Sequence, residues 1–337
     1  MGIPGSANLL LAAAAAESYQ IEQSLRFGGG TYLQRTVPLD TSTQDRYVTY
    51  SVWFKKATNA DNYPQLIEGH RTSTDRSVAW LDYDDTINYR YIGTGTATGS
   101  TGKLRDPAAW YHYCVNITST STGHEVETFL NGVSVGVQTS STAYQNYPLW
   151  VGGYSGSSTT LRIGTDVAGA GYDFEGYMAE AHLIGGTIYD ATKFGEYDES
   201  GVWRPIEVTG VTYGDEGWYL KFDPTATNGI GHDHSGNGNN FTATGFTTSG
   251  GFTDVMSDTP TTNWCTLNPL AKTNSSLTLS EGNLKAVTET TAAGNAYGTF
   301  AIPTSGKWYW EVTALGGPEM IGVAKYDATE DLAWTLS

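Results

Sequence analysis

The chain has 337 residues, with 35 Asp and Glu against 18 Lys and Arg, a formal net charge of -17. A field of that sign repels phosphate backbones and anionic lipid, which argues against nucleic acid and membrane partners and leaves divalent cations or neutral and basic partners open. Forty-one Gly, 22 Tyr, 10 Trp and only 16% charged residues point to a turn-rich, all-β protein whose polar surface is built from hydroxyls and amides.

The first 18 residues hold Leu9, Leu10 and Leu11, then Ala12 to Ala16. No basic residue precedes Leu9, as a secretory signal would require, and the run is too short to span a bilayer. Met1-Gly2 with Ser6 fits only a loose myristoylation pattern. The run reads as a short Ala-rich helix or a docking segment, with Leu9, Leu10, Leu11, Ala12 and Ala13 entering a symmetric bundle or a socket in a larger particle.

Strands follow in quick succession. Ser24 to Phe27 and Thr31 to Gln34 flank a Gly28-Gly29-Gly30 turn. Tyr47 to Lys55 alternates, with Val48, Tyr50, Val52 and Phe54 on one face and Thr49, Ser51 and Trp53 on the other. Gln65 to Glu68, Ser77 to Tyr83 and Thr86 to Ile92 give three short strands, and Gly93 to Gly102 a loop. Tyr111, Tyr113 and Val115 alternate with His112, Cys114 and Asn116; Val126, Thr128 and Leu130 alternate with Glu125, Phe129 and Glu127. Asn131-Gly132 then predicts a type I′ hairpin, because both central residues of that turn need positive φ. Leu149 to Gly153, Asp173 to Ile184 and Tyr213 to Phe222 are further predicted strands. Short strands with turn signals between them indicate a sandwich or barrel. Cys114 and Cys265 are either free thiols or a disulfide; spacing does not decide.

Five motifs occur in the order of the strands of laminin-G-like, concanavalin A-like jelly rolls: Leu25-Arg26-Phe27 with Tyr32-Leu33, Tyr50 to Phe54, Trp110-Tyr111-His112, Phe129 to Val133, and Phe174 to Tyr177 with Ala179-Glu180. The resemblance implies two packed antiparallel sheets over about residues 19–250. Asp233 to Asn240 resembles the D-x-SGNGN loop common in these domains. It reads either as a tight surface turn or as a calcium or sugar loop, with Asp233, Asn237 and Asn239 as the metal ligands. Residues 251–275 read as an ordered linker, in which Asp258 to Thr261, Asn263 and Thr266 to Leu270 resemble a D-T-P-T-x-N-x-x-T-L-N-P-L stretch of tailed-phage virion proteins. In those proteins the stretch joins a laminin-G-like module to a SPRY-like one. Residues 276–337 resemble the start of a SPRY-like β-sandwich, through Leu277 to Leu279, Gly306 to Val312 and Ile321 to Ala324, and a fragment of a longer protein is expected.

Glu196-Tyr197-Asp198-Glu199 is similar to a glycosidase motif, but its Gly and Ser neighbours place it on a turn, where the carboxylates are solvated. Asp82, Asp84 and Asp85 read as a solvated hairpin tip, with calcium as the alternative. His232 and His234 lack a zinc-type ligand set around them, and no enzyme activity is expected. The resemblance implies a phage virion fibre, homotrimeric and joined to other virion proteins, that attaches by its N-terminus and presents β modules to host-surface polysaccharide. A capsid decoration or tail adaptor protein and a secreted lectin are the alternatives.

Overall fold

The computed structural model describes residues 19–38, 46–57, 63–91, 96–99, 102–120, 123–140, 149–152, 158–250, 253–272, 277–288, 294–314, 316 and 321–323. Leu9 to Ala13 of the docking segment lie outside them. In chain order the strands are β1 (Ser24–Phe27), β2 (Tyr32–Val37), β3 (Tyr47–Lys56), β4 (Gln65–Thr72), β5 (Asp75–Leu81), β6 (Ile87–Tyr91), β7 (Thr96–Gly99), β8 (Tyr111–Thr120), β9 (Gly123–Leu130) and β10 (Val133–Ser140). Then come β11 (Thr159–Ile163), β12 (Gly176–Gly185), β13 (Gly195–Tyr197), β14 (Trp203–Pro205), β15 (Trp218–Leu220), β16 (Thr242–Thr244) and β17 (Val255–Met256). Last are β18 (Leu267–Lys272), β19 (Leu277–Ser280), β20 (Lys285–Thr288) and β21 (Ala296–Gly298).

Two antiparallel sheets form the sandwich. The first runs β10-β9-β8-β3-β12-β1-β17 with β15 also on β12; the second runs β16-β2-β11-β4-β5-β6-β7. Alternation decides what lies between them: Val48, Tyr50, Val52 and Phe54 of β3 face Leu33, Ile67, Ala79 and Leu161 across the core, all fully buried. Asn131 (φ 48) and Gly132 (φ 78) make the expected hairpin between β9 and β10.

The other face of β3 is covered too. Thr49, Ser51 and Trp53 are at most 3% exposed, because two later segments form a third layer. One carries Phe194, Trp203, Tyr213 and Tyr219. Trp203 Nε1 donates to His112 Nδ1 (3.2 Å), and His112 Nε2 meets Ser51 Oγ at 2.8 Å. His182 stacks on Tyr219 at 4.1 Å and meets Tyr213 Oη at 2.9 Å. Burial pushes both imidazoles down to about 3. Beside them Glu180 sits on a β-bulge at φ 43, its carboxylate accepting from Tyr219 Oη (2.5 Å) and Tyr19 Oη, and burial raises its pKa.

The second segment is Asp254 to Asn283. Lys55, 1% exposed, donates to Asp258 Oδ2 (2.8 Å), Asn263 Oδ1 (2.8 Å) and the Trp264 carbonyl (2.9 Å). Trp110 Nε1 donates to Asp258 Oδ1 at 2.9 Å. Arg26 pairs with Asp254 and Glu281, and Tyr177 Oη donates to the Gly282 carbonyl at 2.6 Å. The first half of the stretch read as a linker, Asp254 to Trp264, is therefore bound to β1 and β3, and Gly282 beyond it to β12.

Several expected elements differ, and the strand expected over Tyr213 to Phe222 narrows to β15. Leu149–Val151 is a 3-10 turn rather than a strand: Trp150 is fully buried in the core, its Nε1 donating to the Ser77 carbonyl, and Gly152 turns the chain at φ 120. Part of the expected Gly93 to Gly102 loop pairs with β6 as β7. Gly306 to Val312 forms no strand, and Trp308, Tyr309 and Trp310 stand at least 48% exposed; a strand needs a hydrogen-bonded neighbour, and none of the described residues supplies one.

Candidate functional site

By their antiparallel pairings, β1, β3, β5, β7 and β11 all end at the same end of the sandwich. The buried aromatic residues, such as Trp150, Trp218, Tyr50 and Tyr113, are core. At this end three tyrosines are not. Tyr83 is 71% exposed, Tyr63 43%, and Tyr172 half-buried. Tyr63 stands in the middle, its ring at 84° to both neighbours, with centroids 6.1 Å from Tyr83 and 6.2 Å from Tyr172.

Backbone hydrogen bonds lock the three loops together. Leu81 N–H donates to the Pro64 carbonyl (2.9 Å) and Gln65 N–H to the Tyr172 carbonyl (3.0 Å). Tyr172 N–H donates to Asp166 Oδ1 at 3.2 Å; Asp166 is itself 1% exposed and also caps Ala170 N–H. Tyr63 holds φ 47, a strained value for a non-glycine residue. The backbone flanking the three rings is thus tied together by hydrogen bonds.

The acidic hairpin tip carries Tyr83. Asp82 accepts from Tyr83 N–H (2.8 Å), Asn88 Nδ2 (3.3 Å) and Trp80 Nε1 (3.4 Å). Lys103 and Thr86 hydrogen bonds hold the Asp84 carboxyl below its usual range, with Lys103 Nζ at 2.8 Å. Asp85, at φ 65, pairs with Lys56 of the first sheet at 2.8 Å. The three carboxylates point to separate partners rather than to one centre.

Behind the ridge the outer face of the second sheet is polar. Paired residues share a face, so Gln65, Trp80 and Asn88 form one row across β4, β5 and β6. Gln34, Arg162, Glu68, Val78 and Arg90 form the next. Arg162 lies 4.3 Å over the Tyr32 ring and donates to Gln34 Oε1 and the Asp166 carbonyl. Glu68, fully buried, accepts from Val167 N–H (2.6 Å), and His70 and Arg76 lie 3.2 and 3.3 Å from its other oxygen. This pins the loop that carries Tyr172. Stacking rings beside amides, carboxylates and guanidinium groups can hold a ring with one apolar face and a rim of hydroxyls.

The residues singled out from sequence lie elsewhere. Asp233, 3% exposed, accepts four hydrogen bonds: from the N–H groups of Tyr219, Ser235 and Asn239 and from Ser235 Oγ, at 2.8–2.9 Å. Asn237 Nδ2 donates to the Gly214 and Gly217 carbonyls; Asn239 donates to Asp215 and Gly217 and accepts from Arg35. Gly236 and Gly238 supply the positive φ of a turn. Among the described residues no group of three or more His, Cys, Asp or Glu could hold a metal ion. Glu196 and Asp198 belong to the exposed β13–β14 hairpin, and Asp198 pairs with Arg204 at 3.0 Å. Cys114 is buried and Cys265 exposed, both free thiols. No helix among the described residues is long and apolar enough to cross a membrane.

Residues 27–190 match the Laminin_G_3 family model, described as the concanavalin A-like lectin/glucanases superfamily. No curated protein matches the chain. Among solved structures it is similar to a SAP-like pentraxin from Limulus polyphemus, with 15% identity and TM-score 0.36, covering 49% of this chain and 77% of that one. A putative carbohydrate binding protein from Bacteroides ovatus gives 17% and 0.40, covering 66% and 59%. Tailspike protein 2 of Escherichia coli O157:H7 bacteriophage CAB120 gives 10% and 0.30, covering 57% and 31%. The chain thus spans less than two thirds of the second and third of these structures. The fold is an all-β, concanavalin A-like sandwich.

Proposed function

We propose that the protein is a structural component of a tailed-phage particle, a fibre that attaches by its N-terminal segment and binds host-surface glycan through the ridge of Tyr63, Tyr83 and Tyr172. The observation that carries the glycan reading is the exposure of those rings on locked loops, in a fold whose other large aromatics are mostly spent on the core. Pyranose rings present C–H faces to such surfaces, and rigid tyrosines give contact area at low entropic cost. The phage reading rests on the stretch Asp258 to Leu270, which resembles a virion-protein motif and here latches to the sandwich. Trimerisation and attachment through Leu9 to Ala13 belong to the same reading.

The test is adsorption of the purified chain to candidate host cells, with soluble host polysaccharide as competitor. Wild-type protein should bind saturably. Tyr83→Ala and Tyr63→Ala should each weaken adsorption about tenfold or more, the loss of one stacking contact. Unfolding midpoints should stay near wild type for Tyr83→Ala, since that ring is mostly in solvent. Saturable binding unaffected by either variant would remove the ridge from the interface. Absence of binding by folded protein would favour a decoration or adaptor role.

A further inference from the structure

The outer face of the second sheet carries polar atoms that the protein leaves unpaired. Gln65 Oε1, Arg76 Nε and Arg90 Nε are each buried without a hydrogen-bond partner among the described residues. All three belong to this face: Gln65 pairs with Trp80 across a bulge at Leu66, and Ala79 and Tyr89, of opposite parity to Arg76 and Arg90, point into the core. Buried polar atoms in folded proteins are almost always satisfied, so three within one face leave its polar groups short of partners.

The charge of the face is also out of character. In a chain of net charge -17, Arg90 has no carboxylate within ion-pair distance among the described residues. Arg76 only shares Glu68, through one terminal nitrogen at 3.3 Å, with His70. Arg90 stands opposite Val78 on β5, so its diagonal neighbours on the same face are Arg76 and Trp80. Such diagonals are about 7–8 Å, on the order of one sugar residue. A half-exposed indole therefore lies on one side of Arg90 and a second guanidinium on the other.

We propose that this face receives a carboxylate-bearing glycan, the ring of an acidic sugar resting on Trp80 and its carboxylate held by Arg90 and Arg76. Guanidinium groups suit this role because their planar fork matches a carboxylate with two parallel hydrogen bonds. The surrounding negative field disfavours long-range attraction of a polyanion, so recognition depends on this short-range contact. The inference rests on the glycan-binding reading and names the chemical class of glycan.

The experiment compares acidic capsular and surface polysaccharides, each intact and after carboxyl reduction to its neutral counterpart. Binding to the full chain is measured by calorimetry at fixed salt. The expected result is that the polysaccharides bound are acidic and that carboxyl reduction weakens them about tenfold or more. Arg90→Gln should cause a similar loss toward the acidic form and none toward a neutral one, and Arg90→Lys should restore it only in part. Neutral glycans bound as tightly as acidic ones would overturn the inference and leave the tyrosine ridge standing. So would reduction or Arg90→Gln without effect in folded protein. No binding to any glycan would overturn both.

Discussion

Replacing Asp258 by alanine should be among the most damaging single changes outside the core. Lys55 is 1% exposed, and its three donors are satisfied by Asp258, Asn263 and the Trp264 carbonyl. Asp258 also accepts from Trp110 Nε1 and, at 3.3 Å, from Trp264 N–H. The variant leaves an ammonium buried with two neutral acceptors and removes the acceptor of two further donors. Breaking a buried pair from one side costs about 3–5 kcal/mol, a large part of the ~5–15 kcal/mol that holds a typical domain. Lys55→Met should cost a similar amount, because it strands the carboxylate instead. The double variant Lys55→Met with Asp258→Ala should recover much of the loss, since no buried charge remains, and the coupling should exceed ~1 kcal/mol. Urea unfolding followed by tryptophan fluorescence measures each free energy, and hydrogen exchange over 255–264 localises the change. If Asp258→Ala unfolds within 1 kcal/mol of wild type by that extrapolation, the segment is not part of the cooperative fold and the reasoning fails.

Acid should destabilise the protein well before its carboxylates titrate. His112 and His182 are held neutral down to about pH 3 in the fold but titrate near 6.5 when unfolded, so their stabilisation is complete above 6.5 and drains away as pH falls. At pH 5 the loss is about 2 kcal/mol for each; unfolding midpoints flat between pH 7 and 5 would contradict it. Asp233→Ala should lower stability by about 3 kcal/mol, as three backbone N–H groups lose their acceptor. The melting curve of the wild type, by contrast, should be unchanged by EDTA, whereas a chelator-dependent shift would place a cation in that loop. Gly132→Val should cost ~2 kcal/mol or more in chemical denaturation, because a side chain there starts 2.4 Å from the Trp203 ring at φ 78.

Local signals were readable where physics is local. Val48 to Phe54 announced a core strand by period two, and Asn131-Gly132 announced its turn by tolerance of positive φ. The burial of Thr49, Ser51 and Trp53 had no such signature, because Tyr189 and Trp203, about 140–150 positions later, help to cover them. Leu149 to Val151 misled for a related reason: a short apolar run fits a strand or any buried turn, and only the pocket around Trp150 decides. The tyrosine ridge was illegible altogether. Tyr63, Tyr83 and Tyr172 come from three loops and meet only once β4, β5 and β12 are in register, and nothing in the sequence separates these rings from the buried ones. The loop of Asp233 shows the converse. Its Asp and Asn residues could be named from sequence, but whether their oxygens face a ligand or the backbone depended on Tyr219 and Arg35 arriving from elsewhere.

The latch between Lys55 and Asp258 also sets a timetable for synthesis. The partners are 203 positions apart, and Arg26 waits 255 positions for Glu281. At roughly 5–20 residues per second, the ribosome needs about 10–40 s after making Lys55 to deliver its carboxylate. Through that interval β3 carries a solvated ammonium on a face that must later become dry, and the third layer lacks its second segment. A copy whose translation stops before Asp258 retains that open face. Such a copy leaves Lys55 and Trp110 without the carboxylate that accepts from both, and should be cleaved faster by added protease than a copy that extends past Asn283.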